Sequence, residues 1–429
     1  MQDVLIVGAG SRGLTVYADY IATNPEQFRL VGVAEPRESH REQAANRHQL
    51  PRDRCWSDWR ELLQQPPLAP AVILATQDRD HLEPALALME HGYDLLLEKP
   101  MAPTLEECQR LQRASRQSKK LMVVAHVLRY TPYFKQLKRL VASGVLGQLV
   151  TVRHFEPVLY WHQAHSFVRG NWRKTAESAP MILAKSCHDL DMLCHLVAQA
   201  PLRVASFGRL SHFTRDHQPP GASDRCQPCR YRDQGCPYSA HRFYLGLQER
   251  GLLGWPLDTI TSDTTEFGVR RALAEGPYGR CVYACDNDVV DHQVVAVEFA
   301  GGLSATFTMT AFAHERLRET ELLGSHGQLC GDGRKIWLRP FGDLPAGLPD
   351  HDGQRQPNGD IVWDFSHIPG HGHSGGDDGL MDFFHGCLED RESAWRLPLP
   401  EEALQGHALC FAAEQARLEK RLVDVVAAT

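Results

Sequence analysis

Three stretches of this chain carry residues that could do chemistry. In the first, an apolar run, Leu95–Leu97, ends abruptly in Glu98-Lys99-Pro100. A buried strand can carry a lysine to the mouth of a sheet in this way, with Pro100 stopping the strand. Open α/β sheets hold ligands at the tips of their parallel strands, so an ammonium there would polarise or protonate a reacting oxygen. The bland alternative is a solvated lysine at a strand end. The second stretch, Met181–Val197, has Leu183, Cys187, Leu190, Cys194 and Val197 at helical spacing. His188 lies off that stripe, with Lys185 one turn before it and Asp191 one turn after. An imidazole is the natural base for a hydroxyl proton near neutral pH. A neighbouring lysine would depress its pKa or hold a substrate oxygen. The alternative is a helix histidine bonded to Asp189 or Asp191.

The third stretch is Gly8-Ala9-Gly10-Ser11-Arg12-Gly13, between the apolar run Val4–Val7 and the helix-like Leu14–Ala22. This is the context a dinucleotide-binding glycine turn needs. Gly8 permits the turn, Gly10 lets the backbone approach a pyrophosphate, and Gly13 lets the helix pack on the strand. The diphosphate would sit at the helix N-terminus, beside Ser11 and Arg12. A second strand, Arg29–Ala34, ends at Glu35, where a carboxylate would hold the adenosine ribose diol and repel a 2′-phosphate. NAD is therefore favoured over NADP, although Arg37 and Arg12 lie close enough in sequence to meet a phosphate.

The elements around these residues alternate. Helix Arg37–His48, strand Ala71–Ala75, helix Leu82–His91 with Gly92 as its C-cap, helix Thr104–Ser118 and strand Leu121–Ala125 complete a strand–helix rhythm. It predicts a doubly wound parallel sheet over residues 1–125. The remainder, 126–429, has a helix at Tyr133–Ala142. Strand-like segments follow at Leu149–Pro157, Leu202–Phe213, Arg280–Cys285, Val289–Phe299, Leu303–Ala311, Arg318–Gly324 and Lys335–Arg339, and two helices close the chain. This reads as an α+β domain with an open, mostly antiparallel sheet.

The chain resembles the Gfo/Idh/MocA family of nicotinamide-dependent oxidoreductases. The residues that carry the resemblance are the glycine turn, Thr76 with His81, Glu98-Lys99-Pro100, Arg129-Tyr130-Thr131-Pro132, Gly144-Val145-Leu146-Gly147 and His188-Asp189-Leu190-Asp191. The resemblance implies a cis Lys99–Pro100 bond that aims the lysine into the cleft. It also implies Thr76, His81, Glu98 and Lys99 at the nicotinamide end, and Arg129 and Tyr130 near the substrate. It implies a homo-oligomer, dimer or tetramer, meeting through the open sheet. One departure stands out. Many relatives carry an Asp one turn before the histidine, and here that position is Ala184. An alanine cannot orient an imidazole, so the usual Asp–His–Lys arrangement does not carry over whole.

Three clusters remain. Glu156–Trp172 holds Glu156, Tyr160, Trp161, His162, His165, Arg169 and Trp172, a mixture suited to stacking on sugar faces and reading hydroxyls; the alternative is a polar surface loop. His371-Gly372-His373-Ser374-Gly375-Gly376-Asp377 precedes a helix. Either His373 approaches the substrate, or Asp377 simply caps the helix. Cys226-x2-Cys229-x6-Cys236 lies in a Pro/Gly-rich insertion at about 211–265 and has the spacing of a structural zinc site. His212 is the candidate fourth ligand, with His217, His241 and Cys187 as alternatives; unligated thiols or a disulfide are the other readings.

A net charge of −7 provides no basic footprint for nucleic acid, and no apolar run approaches a membrane span. Met1 leads straight into a strand, so a cytoplasmic protein with reduced thiols is expected. The leading expectation is an NAD-dependent oxidoreductase moving a hydride to or from a hydroxyl-bearing carbon of a sugar, sugar acid or cyclitol. The alternative is a hydrolase that uses NAD catalytically, cleaving glycosides by oxidation, elimination, water addition and re-reduction. A non-catalytic cofactor sensor fits poorly with the presence of both Lys99 and His188.

Overall fold

The structure is a computed structural model that describes residues 1–315, 317–342, 353–369 and 372–426. Six strands form a parallel sheet: β1 (Gln2–Val7), β2 (Phe28–Ala34), β3 (Cys55–Trp56), β4 (Ala71–Leu74), β5 (Asp94–Leu97) and β6 (Met122–Val124). Their order is β3-β2-β1-β4-β5-β6, so the chain reverses direction across the sheet between β1 and β4. A doubly wound sheet opens its ligand crevice at that switch point. The central strands read as unbroken apolar runs because both faces are covered: Val4–Val7, Ala71–Leu74 and Leu95–Leu97 are all buried. Helix Leu82–His91 stops at Gly92, whose φ of 114° suits a residue without a Cβ.

A second sheet has ten strands. They are β7 (Leu149–Leu159), β8 (Pro201–Arg209), β9 (His292–Phe299), β10 (Ser304–Ala313), β11 (Glu319–Gly324), β12 (Gly327–Gly331), β13 (Lys335–Pro340), β14 (Gln354–Arg355), β15 (Ile361–Asp364) and β16 (Val423–Asp424). Pairing is antiparallel except between β7 and β10. The strands alternate with period two. Val295, Val297, Phe299, Ala305, Phe307 and Met309 point inward to the core, while Phe207 on β8 lies opposite Val294 on the exposed face.

Two expected elements differ. Arg280–Cys285 is a turn rather than a strand; only Arg280 pairs, as an isolated bridge to Arg225. The segment between β8 and β9 runs from 210 to 291 and carries three helices (Ala240–Glu249, Leu257–Ile260, Glu266–Glu275) within turns and irregular backbone. It has a small core of its own around Tyr244, Leu245, Leu257, Val269 and Leu273.

The last helices join the two halves. Helix Gly372–Glu389 buries Leu380, Met381 and Phe384 in the same cluster as Val4, Ile6 and Ile73 of the parallel sheet. Helix Leu399–Glu419 lies against helix Leu105–Ser118 on one side and β8 on the other. At the junction, Arg129 donates through Nε and Nη2 to both oxygens of Asp191 (2.7 Å each) and through Nη1 to Glu402. This is a buried bidentate pair, and removing one partner strands the other charge. Arg129→Ala should therefore destabilise the protein by about 3–5 kcal/mol, read as a lower urea midpoint; an unchanged midpoint would show the pair to be dispensable.

Candidate active site

The glycine turn after β1 fits a diphosphate. Gly8 has φ of 91°, and a Cβ there would lie 2.6 Å from the carbonyl oxygen of Ala75. At Gly13 a Cβ would come within 1.9 Å of the Gly8 oxygen, so the helix can approach the strand only without one. Gly10 and Ser11, by contrast, face outward with room around them. Glu35 stands at the end of β2 and accepts the Ala9 N–H (2.7 Å). Burial alone would raise its carboxyl. Bonds from Arg37 (Nε 2.6 Å) and from the Ala9 and Arg37 backbone outweigh burial and hold it below the ordinary value. The carboxylate is thus charged and placed beside the turn, as a ribose diol requires.

At the tip of β5 the Lys99–Pro100 bond is cis, as the resemblance implied. Lys99 Nζ donates to the Ala184 carbonyl (2.7 Å), reaching from the parallel sheet into the second domain. His81 is fully buried; its ring nitrogens meet Pro100 O (2.8 Å) and Thr76 O (3.3 Å), while Thr76 Oγ1 donates to Asp80 O. His81 therefore fixes the Lys99–Pro100 corner rather than facing a cofactor. Glu98 accepts from its own neighbour's N–H (Lys99, 3.0 Å), from Tyr17 Oη (2.5 Å) and from Arg12 Nε (2.5 Å). Arg12 also pairs with Asp377 (2.9 Å). It is drawn to these carboxylates, away from the adenosine end where the sequence suggested it could meet a phosphate.

The Met181–Val197 stretch is two helices, Met181–Ala184 and Cys187–Val197, broken at Lys185 and Ser186. The break frees the Ala184 carbonyl for Lys99 and turns Lys185 toward Glu156 (Nζ–Oε1 2.9 Å). His188 is buried at the start of the second helix, its ring about 6.0 Å from that of His373 and 6.1 Å from that of His126. Neither nearby aspartate reaches it: Asp189 is held by His154 (3.0 Å) and Arg318 (2.5 Å), and Asp191 by Arg129. Among the described residues His188 Nδ1 has no hydrogen-bond partner, so the helix-histidine alternative is not what the fold builds. Burial, then the charge of Lys99, then His373 push His188 well below its ordinary pKa. The imidazole is neutral near pH 7 and able to accept a proton.

Residues 2–126 match the oxidoreductase family with an NAD-binding Rossmann fold, and residues 134–227 match its GFO/IDH/MocA C-terminal domain. The chain belongs to the Gfo/Idh/MocA oxidoreductase family. It is 25% identical over 264 residues to the putative oxidoreductase YteT of Bacillus subtilis, covering 60% of this chain and 59% of YteT. It is 25% identical over 209 residues to the scyllo-inositol 2-dehydrogenase (NAD(+)) of the same organism, covering 48% of this chain and 56% of that protein. These alignments span little more than half of each relative. The fold is that of levoglucosan dehydrogenase solved with NADH and L-sorbose, at a TM-score of 0.68, 19% identity and full coverage of both chains. Among the described residues no helix is long and apolar enough to cross a membrane.

Several residues expected to meet the substrate make contacts within the protein. Arg129 holds Asp191 and Glu402, and Tyr130 packs on Phe383 (4.9 Å between rings). His165 bonds Tyr244 Oη (2.6 Å) and stacks on Tyr278, and burial takes it to about 3. Arg169 donates to the carbonyls of Arg280 (2.8 Å) and Tyr238 (2.7 Å). His162 sits among Trp161, Phe167 and Trp255. Trp172 Nε1 donates to Asp78 (3.0 Å), bridging the domains. Of these, His162, His165 and Arg169 seat the insertion, a segment of some eighty residues whose inner face is aromatic.

Glu156 does lie at the site, but between two cations, Lys185 and Arg318 (2.6 Å). His373 also lies there. It and Ser374 have φ of 49° and 56°, and the turn brings His373 Nδ1 to Asp377 (2.9 Å). Asp377 is thus an ion-pair partner rather than a helix cap; His371 lies outside the described residues. His212 was expected among the thiols. Instead its Nε2 lies 3.3 Å from Tyr283 Oη and its ring packs with Phe213, Tyr238 and Phe312. The unforeseen residues are Tyr17 and Arg318. Each is one charged or phenolic group in an ordinary stretch, and only the tertiary contacts single it out.

Since His188 is held below its usual value of about 6.5, the acid limb of kcat/KM for alcohol oxidation should lie below pH 6.5. His188→Asn should lower the rate by about 10²–10⁴-fold and abolish that limb. A limb that persists in the variant belongs to another group.

Proposed function

We propose that this protein is an NAD-dependent dehydrogenase or reductase acting on a hydroxyl-bearing carbon of a sugar, sugar acid or cyclitol. The observation that carries the reading is the convergence of Lys99 from the parallel sheet on Ala184 and His188 of the second domain. The named activities of the relatives, inositol and levoglucosan dehydrogenation, support the substrate class.

The residues divide the work as follows. Glu35 holds the adenosine ribose, and the helix that starts at Ser11 receives the diphosphate on the N–H groups of its first turn. A bound nicotinamide would supply the hydride acceptor or donor. His188 accepts the hydroxyl proton while the Lys99 ammonium stabilises the oxygen as it gains charge. With alanine at 184, no carboxylate stabilises the imidazolium that forms. His188 therefore releases its proton readily, and Lys185, whose own pKa burial lowers, stands nearby as a second proton carrier. Lys185 and Arg318 are both neutralised by Glu156 and Asp189. That balance leaves Lys99 as the cation facing the substrate and favours neutral polyols over sugar acids.

Lys99→Ala should abolish turnover while leaving NAD affinity nearly unchanged, measured by fluorescence titration; equal loss of both would place Lys99 in cofactor binding alone. Glu35→Ala should weaken NAD about 10–100-fold more than NADP, as expected for losing a bond to a charged acceptor. An unchanged ratio rules out Glu35 as the ribose ligand. Proton NMR in D2O with NAD and free sugars, cyclitols and glycosides would test the reaction itself. Oxidised product with stoichiometric NADH supports the dehydrogenase. Glycoside cleavage without NADH, with deuterium entering beside the oxidised carbon, would establish the hydrolase instead.

A further inference from the structure

The insertion gathers thiols that the active site does not use. Cys226, Cys229 and Cys236 are close in sequence, but the fold adds a fourth, Cys281, from the far end of the insertion. The Arg225–Arg280 bridge is flanked by Cys226 N–H to Gly279 O (2.8 Å) and Cys281 N–H to Asp224 O (2.9 Å). Residues one step past a bridged pair on each strand share a face, so Cys226 and Cys281 project together. A tight turn, Cys229 N–H to Cys226 O (3.1 Å), returns the second thiol to the first. Cys236 enters just before helix Ala240–Glu249, whose capping Ser239 Oγ lies 3.6 Å from Cys226 Sγ.

All four cysteines line one cavity of about 20 Å³, with Tyr238 and Tyr283 among its other walls. That is room for about one water-sized particle. The backbone N–H of Tyr238 points at the Cys236 sulfur and that of Tyr283 at the Cys281 sulfur, each two residues on. Arg169 also lines the cavity. Cys285 does not join: its Sγ donates to Cys281 O (3.2 Å). Among the described residues no three such side chains already stand closed around a point that could hold an ion. A cysteine sulfur moves by rotation about a single torsion, so closure on the shared cavity asks for side-chain rotation and leaves the backbone framework in place.

We propose that Cys226, Cys229, Cys236 and Cys281 bind one divalent metal ion as a four-thiolate site, and that this ion clamps the two ends of the insertion together. The chemistry suits zinc, and iron(II) would use the same ligands. The site is structural, since four thiolates leave no open position for a substrate. Arg169, which bonds the Tyr238 and Arg280 carbonyls next to the cavity, links the clamp to segment Gln163–Arg169. It also links it to a neighbouring cavity of about 350 Å³ walled by Tyr160, Trp161, Tyr238 and Phe243.

Elemental analysis of the full-length protein, purified from zinc- and iron-supplemented cells, tests this. About one zinc or iron per chain is expected, absorption in the visible marking iron. Cys281→Ser should lose the metal and His212→Ala should keep it. If Cys281→Ser fails to fold, the wild-type protein decides: titration with a mercurial should release the metal as four thiols are consumed. Cobalt(II) added to the stripped protein should give thiolate charge-transfer bands and the intense visible bands of a tetrahedral site. A wild-type protein that holds no metal and gives no cobalt bands overturns the proposal. So does full metal content in folded Cys281→Ser.

Discussion

Arg12 lies between two buried carboxylates, Glu98 and Asp377, and these three residues come from segments far apart in the chain. One is the cofactor turn, one the strand end that carries Lys99, and one the start of helix Gly372–Glu389, where His373 sits. Burial would raise both carboxyls, but the guanidinium, with Tyr17 on Glu98 and His373 on Asp377, keeps both low. Two buried carboxylates would repel each other and protonate without a cation between them. The cluster therefore sets the spacing between the glycine turn, the Lys99 corner and the segment that carries His373. The position of Lys99 follows from it: Glu98 accepts the Lys99 N–H, and His81 holds the next carbonyl.

A second buried network, Lys185–Glu156–Arg318–Asp189–His154, stands beside helix Cys187–Val197. It takes up Glu156 and Asp189, Arg129 takes up Asp191, and the imidazole is left without a carboxylate. In relatives an aspartate one turn earlier would orient the ring; here the orientation comes from packing among His126, His373 and the helix itself. A ring held by packing and surrounded by cations is a neutral acceptor rather than a charged acid. That character suits removal of a hydroxyl proton.

The aromatic stretch after β7 is a pattern with two physical uses. Rings interleaved with polar groups can grip a sugar, and they can equally seat a helical insertion whose hydroxyl and imidazole groups need partners once buried. His165 with Tyr244, and Arg169 with two backbone carbonyls, are satisfied by the insertion. The same seam brings Cys281 to the other three thiols.

The sequence by itself determined the parallel sheet, the glycine turn with Glu35, the Lys99 corner and the alternating strands of the second sheet. These follow from local rules: apolar runs of strand length, glycine where a Cβ would collide, and period-two patterning. It could not determine which charges pair across the chain. Arg12, Arg129 and Arg169 all read as ligand-binding arginines, and each is instead held by carboxylates or carbonyls from segments roughly 60–365 residues away. Only the tertiary structure brings those partners together. A buried guanidinium must find acceptors wherever the fold places them, and sequence spacing carries no record of that choice.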